Sequence, residues 1–104
     1  MTRVAKYAAQ SLLRSSGYSA EKITGMSRIF DIIAWDRDRI LGLVIRSSKS
    51  KGVTGFTSLV SDLSGIGQNR LFPGDIELWI LISREWRRYR VLPGGAMLCP
   101  GGFA

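Results

Sequence analysis

A single aspartate, Asp31, lies within an apolar stretch and is the first residue to which chemistry can be assigned. Residues 28–51 read RIFDIIAWDRDRILGLVIRSSKSK, two apolar segments on either side of the polar residues 36–39. This pattern predicts a β-hairpin whose strands are covered on both faces. A buried carboxylate requires a cationic partner or a metal ion, so Asp31 marks the candidate site.

The composition excludes several kinds of catalytic site. The 104-residue chain contains no histidine and a single cysteine, Cys99. Serine–histidine and cysteine–histidine triads, histidine-ligated zinc, cysteine-cluster metal sites and internal disulfides are therefore excluded. Any catalysis must rely on carboxylates, lysine, hydroxyl groups or a cation held by oxygen ligands.

The charge indicates an anionic partner. The formal net charge is +7, and eleven of the fifteen basic residues are arginine. The planar arginine side chain suits phosphate, so nucleic acid is the first partner to consider. The alternatives are that the charge aids solubility or serves an acidic protein or lipid surface.

Two basic segments are candidates for contact with nucleic acid. One is the loop after the second hairpin strand, where hydroxyls and lysines are typical phosphate ligands. The other is the last apolar segment, in which arginines alternate with Trp86 and Tyr89, aromatic rings that can stack on bases. The alternatives are a solvated loop and a strand with one buried and one charged face. The candidate residues are Ser47, Ser48, Lys49 and Lys51 in the loop, and Arg87 and Arg88 in the strand.

The periodicity of apolar residues predicts an α/β domain with a mixed central sheet flanked by helices. Helical spacing occurs over residues 2–16 and again over 56–66. Strands are predicted at 18–23, 28–35, 40–46, 75–82 and 86–92, with a turn at Glu85. We assign one domain to residues 1–92. The glycine- and proline-rich tail, 93–104, is expected to be extended or poorly ordered.

This order of elements resembles the PD-(D/E)XK, or restriction-endonuclease-like, nuclease superfamily, and within it the small archaeal Holliday junction resolvases. The segments GYSAEKITGMSRIFDIIAWD and RILGLVIRSSKS carry the resemblance, which extends over residues 1–92. It implies an αβββαβ core in which a metal-binding aspartate lies on one hairpin strand and a (D/E)-x-K pattern ends the next. Asp31 matches the aspartate, whereas Val44 stands at the second acid and Arg46 at the lysine.

The resemblance implies Mg²⁺- or Mn²⁺-dependent hydrolysis of phosphodiesters, with Asp31 as metal ligand and Arg46 at a catalytic position. Valine offers no ligand, however, and arginine stays protonated and cannot act as a base. If Asp31 faces Arg46, we expect a salt bridge in place of the metal. Glu77 is the candidate replacement acid if its strand lies alongside. The alternative is that Glu77 lies at an edge or faces solvent.

These features favour a nuclease-fold protein that binds duplex or branched DNA through phosphate contacts and whose cleavage activity is lost. The second hypothesis is an active metal-dependent endonuclease or Holliday junction resolvase with a rearranged site. The third is a protein-interaction subunit on a nuclease scaffold. By analogy with resolvases, a homodimer or a partner subunit is expected. No apolar run is long enough to span a membrane and no uninterrupted leader segment is present, so a cytoplasmic protein is expected.

Overall fold

The computed structural model describes residues 2–49, 54–69 and 71–99, and over these ranges the chain forms two α-helices and one six-stranded sheet. In chain order the elements are α1 (Thr2–Ser15), β1 (Ser19–Lys22), β2 (Ile32–Trp35), β3 (Ile40–Ser47), a 3-10 turn (Thr54–Phe56), α2 (Thr57–Gln68), β4 (Asp75–Ile82), β5 (Glu85–Leu92) and β6 (Gly95–Leu98). The strands are ordered as in the sequence. Among the described strands, only β3 and β4 pair in parallel, and the connection that contains α2 joins them.

The two helices cover opposite faces of the sheet, which confirms the predicted fold class. Alternation along β3 sends Leu43 and Ile45 into the core under α1, and Val44 into the core under α2. The apolar runs of the hairpin are nearly continuous because both faces of β3 are buried. In the part of the chain that the structure describes, no helix is long and apolar enough to cross a membrane.

Helix α1 is fixed to the edge strand β1 by polar side chains as well as by packing. Ala5 and Ala9 are fully buried, and their small side chains allow the helix to lie close to the sheet. Gln10 Nε2 and Arg14 Nη2 both donate to the carbonyl of Ala20, at 3.0 Å and 2.9 Å. Residues on the sheet-facing side of α1 therefore have defined positions relative to the strands.

Several element ends differ by one or two residues from the sequence predictions, and three differences affect the description of the site or the sheet. Strand β2 begins at Ile32 rather than at residue 28, so Asp31 precedes the strand. The turn between β4 and β5 is formed by Ser83 and Arg84, both with positive φ, and Glu85 already belongs to β5. Part of the predicted tail, Gly95–Leu98, forms β6, because Gly94 adopts a φ of 90° and turns the chain back to pair with β5. The sheet thus continues beyond the predicted boundary at residue 92.

The backbones of Gly74 and Ile40 approach each other closely, so a side chain at residue 74 should affect stability. A Cβ atom at Gly74 would collide with the backbone carbonyl of Ile40. We expect Gly74→Ala to lower the free energy of unfolding by about 1–3 kcal/mol, because the backbone has to move. Gly65→Ala is the matched control: its Cβ meets open space, and alanine in a helix should raise stability by up to about 1 kcal/mol. Urea unfolding measures both, and equal effects would contradict the predicted collision.

Candidate functional site

Asp31 lies between β1 and β3, at the point where β2 has not yet begun. Its N–H donates to the carbonyl of Leu43 at 2.8 Å, and its own carbonyl accepts the N–H of Ile23 at 2.9 Å. Its side-chain Oδ2 accepts the N–H of Ile45 at 2.8 Å. The carboxylate thus acts as a hydrogen-bond acceptor for β3 where β2 supplies no carbonyl. The N–H groups of β3 point along the plane of the sheet, so a carboxylate that accepts from one of them lies in that plane. Side chains on either face of the sheet can therefore reach it.

Among the described residues, three cationic side chains converge on this carboxylate. Lys6 Nζ lies 3.2 Å from Oδ1, Arg28 Nε lies 3.0 Å from Oδ1, and Arg46 Nη1 lies 3.0 Å from Oδ2. They come from α1, from the segment between β1 and β2, and from β3. We refer to these four residues as the Asp31 cluster. The predicted salt bridge between Asp31 and Arg46 is confirmed.

Sequence reasoning missed Lys6 and Arg28. Lys6 lies on a helix that is distant from Asp31 in the sequence, and Arg28 lies in a segment that was predicted to be strand. The available signals were weak: Lys6 is next to the apolar stripe of α1, and Arg28 precedes Asp31 by three residues. Neither signal specifies a contact, so the tertiary structure was required to reveal both.

The electrostatics of the Asp31 cluster favour an ionised carboxylate. Asp31 is 3% exposed, and this burial by itself raises the pKa of its carboxyl group. The hydrogen bond from Ile45, together with Arg28 and Lys6, outweighs burial and holds the pKa of Asp31 below its ordinary value. Three positive charges against one negative charge leave a net charge of +2. The cationic side chains retain 18%, 30% and 36% exposure, so this excess charge is accessible to a ligand.

Val44, where the resemblance implies a second acid, is part of the hydrophobic core. Val44 is fully buried and belongs with Val60 and Leu63 to the apolar cluster under α2. Arg46, two residues on, lines a groove of about 440 Å³ beside residues 55–59, at the start of α2. Over the described ranges, no group of three or more aspartate, glutamate or cysteine side chains is placed to hold a metal ion.

Glu77 is fully buried and belongs to a separate network, so the prediction that it faces solvent is wrong. Its Oε1 accepts from Trp79 Nε1 at 2.9 Å and from Arg88 Nη2 at 3.3 Å. Its Oε2 lies 3.6 Å from Arg90 Nη2 and 3.9 Å from Arg39 Nη2. Strand β3 separates β4 from β2, and the ion-pair partners of Glu77 differ from those of Asp31. The surrounding arginines neutralise Glu77, although among the described residues its buried Oε2 has no hydrogen-bond partner. Glu77 is not a member of the Asp31 cluster.

Arg87 and Arg88 do not form one surface. Arg87 pairs with Ile80 and Arg88 with Trp79, so the two side chains lie on opposite faces of the sheet. Arg88 is an ion-pair partner of Glu77. The neighbouring aromatic residues are also used in packing: Tyr89 is 7% exposed and belongs to the core under α2, and Trp86 packs against Trp79 with ring centroids 5.4 Å apart.

The loop after β3 is only partly available to a ligand. Ser47 Oγ is buried and, within the described residues, has no hydrogen-bond partner. The Ser48 N–H donates to the carbonyl of Leu81 at 3.0 Å, which anchors the start of the loop to β4. Lys49 is exposed, whereas Lys51 lies outside the described residues. Of the predicted loop ligands, Lys49 is therefore the one whose side chain the structure presents to solvent.

Comparison with known proteins supports the fold. No protein-family model matches the chain, and no curated protein matches it by sequence. Among solved structures, it is similar to Archaeoglobus fulgidus Hjc, a Holliday junction resolvase from an archaeal hyperthermophile. The TM-score is 0.67 and the identity 18%, over 86% of this chain and 72% of the resolvase chain. The chain therefore has the fold of this resolvase.

From the contacts of the Asp31 cluster, we predict that the free energy of unfolding depends on the ionised carboxylate of Asp31. We expect Asp31→Asn to lower the free energy of unfolding by about 3 kcal/mol at neutral pH, because it leaves partly buried cations without their counter-charge. The folded-state pKa of Asp31 is lowered, so the ionised carboxylate stabilises the protein fully above the unfolded-state pKa of about 3.9. This contribution disappears as the pH falls through the folded-state pKa.

Urea unfolding of wild type and Asp31→Asn, at pH 7 and at pH 3, measures this contribution. The difference between the two proteins should be largest at pH 7 and should shrink at pH 3. Asp38→Asn is the matched control, because Asp38 is exposed at the hairpin tip and a surface substitution should change stability by less than about 0.5 kcal/mol. A difference that grew on acidification would contradict the assigned role of Asp31.

Proposed function

We propose that this chain is a degenerate relative of the PD-(D/E)XK nucleases that binds duplex or branched DNA through phosphate contacts, without cleaving it, in the cytoplasm. The observation that carries the proposal is the Asp31 cluster, whose net charge of +2 faces the solvent at the position that matches the metal-binding aspartate of the family. The resolvase fold supports the same assignment.

The chemistry of the cluster disfavours metal-dependent cleavage. Mg²⁺ requires near-octahedral oxygen coordination and is usually held by one or two protein carboxylates. Both oxygens of Asp31 already accept from cations or from the backbone. Val44 supplies no oxygen and is buried in the core. A divalent cation would also have to enter beside three positive side chains, and this repulsion opposes metal binding.

The same features favour a phosphate ligand. Arginine and lysine retain several donors when one is used by a carboxylate, since a guanidinium has five N–H donors and an ammonium three. Arg46 opens into the groove at the start of α2, and exposed Lys49 follows on the same strand end. Contacts of this kind bind the DNA backbone, which gives strong salt dependence and little preference for base sequence.

The binding proposal predicts the effect of removing one phosphate contact. We expect Lys49→Gln to weaken binding to every DNA sequence alike, and to reduce the slope of log affinity against log salt by about 1. Fluorescence anisotropy with a labelled four-way junction and a plain duplex, at several salt concentrations, measures both. Arg37→Gln is the matched control, since it removes one charge at the far end of the β2–β3 hairpin. Affinity that hardly changes between low and moderate salt would contradict the phosphate mechanism.

The loss of cleavage is tested with the same substrates in the presence of Mg²⁺ or Mn²⁺. We expect the wild type to leave the junction intact, because the Asp31 cluster already neutralises the carboxylate. Metal-dependent cutting that disappears in Asp31→Ala would instead establish the alternative, an active endonuclease or resolvase with a rearranged site. Cutting gained by the double variant Val44→Glu/Arg46→Lys would identify the site as a former nuclease centre.

A protein-interaction subunit is the alternative from a different class, and exposed apolar residues on the β6 side favour it. Leu92, Met97 and Leu98 are 40%, 52% and 47% exposed. Such residues suit a homodimer or a partner subunit. Sedimentation of the protein without DNA, together with the DNA-binding assay, distinguishes an interaction subunit from a DNA-binding protein. A stable oligomer that ignores DNA would favour the interaction subunit.

A further inference from the structure

A basic groove lies between α1 and β1, and two members of the Asp31 cluster, Lys6 and Arg28, line it. Its volume is about 400 Å³, and none of the described residues that line it carries a carboxylate. The groove is assembled by the fold, since its cations come from a helix, a strand and the following segment. The lining residues are Lys6, Tyr7, Lys22, Ile23, Thr24 and Arg28.

Other contacts orient the charged groups of this groove. Lys6 and Arg28 both contact Oδ1 of Asp31, which fixes the position of their nitrogen atoms. Lys22 Nζ lies 3.5 Å from the centroid of the Tyr7 ring, a cation–π contact that holds the ammonium at the groove wall. In the part of the chain that the structure describes, Lys22 has no ion pair with a carboxylate.

We propose that this groove is a phosphate-binding site in which Lys22, Lys6 and Arg28 donate to the phosphate oxygens. Lys6 and Arg28 share the single negative charge of Asp31 with Arg46, and Lys22 adds a further positive charge to the groove, so the groove attracts an anion. Asp31 fixes two of the cations without using all of their donors. Preorganised cations bind a phosphate with less loss of side-chain entropy than free surface lysines do. Tyr7 and Thr24 also line the groove.

The phosphate has two possible sources, a DNA backbone and a free phosphate ion, and both present the same oxygens. The DNA source rests on the proposed function, whereas the free ion does not. On the DNA source, this groove is a phosphate contact in addition to the Arg46 groove at the start of α2, which is lined by other residues. A separate titration, the first or second arm below, tests each source.

The first arm uses inorganic phosphate and the isotope-labelled protein. We expect a phosphate titration to shift the backbone amide signals of Tyr7, Lys22 and Thr24, and Lys22→Gln to weaken this binding by about fivefold, as expected for loss of one partly exposed ion pair. Lys22→Gln keeps the aliphatic stem beside Tyr7, and an unchanged melting temperature verifies that it folds. Arg37→Gln should titrate like the wild type. Shifts located elsewhere, or a titration that is the same in Lys22→Gln, would overturn the site.

The second arm repeats the DNA titration with Lys22→Gln. A reduction of the salt slope by about 1 supports the DNA backbone as the source. If the wild type binds DNA and Lys22→Gln changes neither titration, the proposed phosphate site in the groove is refuted. The proposed function is then unaffected. Phosphate binding in the groove by a protein that does not bind DNA supports the groove and refutes the proposed function.

Discussion

The buried carboxylate of Asp31 is the interaction on which the positions of the surrounding elements depend. It accepts the Ile45 N–H from β3 and neutralises Lys6 of α1 and Arg28 of the segment between β1 and β2. A single side chain thus joins a helix, a connecting segment and a central strand. Without this anion, the cations would repel one another across a partly buried space, and the end of the sheet would lack an acceptor.

This arrangement also determines the kind of ligand that the site suits. A metal-dependent nuclease needs an excess of negative charge, so that a divalent cation is attracted and held by oxygen atoms. The Asp31 cluster has the opposite balance, with lysine and arginine nitrogens around a single carboxylate. The chain has the fold of a Holliday junction resolvase. Since fold alone does not fix function, our proposal of phosphate binding rests on this local chemistry.

A second buried carboxylate is also paired with cationic side chains, and there the pairing serves a structural purpose. Glu77 is fully buried on β4 and is surrounded by arginines from β5 and from the β2–β3 hairpin. Its cations are therefore engaged within the protein, whereas those of the Asp31 cluster line open grooves. The two sites therefore differ in whether the cations beside the carboxylate border an open groove. This difference explains why Arg88 and Arg90 of β5 are poorer candidates for DNA contact than the sequence indicated.

The sequence by itself determined the α/β class and the main helices and strands, because these depend on local periodicity. It indicated the salt bridge between Asp31 and Arg46 on the condition that the two residues face each other, and the structure shows that they do. The tertiary structure alone decided which cations reach Asp31, the burial of Glu77 and the opposite orientations of Arg87 and Arg88. The strand β6 within the glycine-rich tail was also decided there, because its pairing with β5 satisfies backbone groups that no side-chain pattern reports. Contacts between distant segments depend on packing and register, which apolar spacing does not encode.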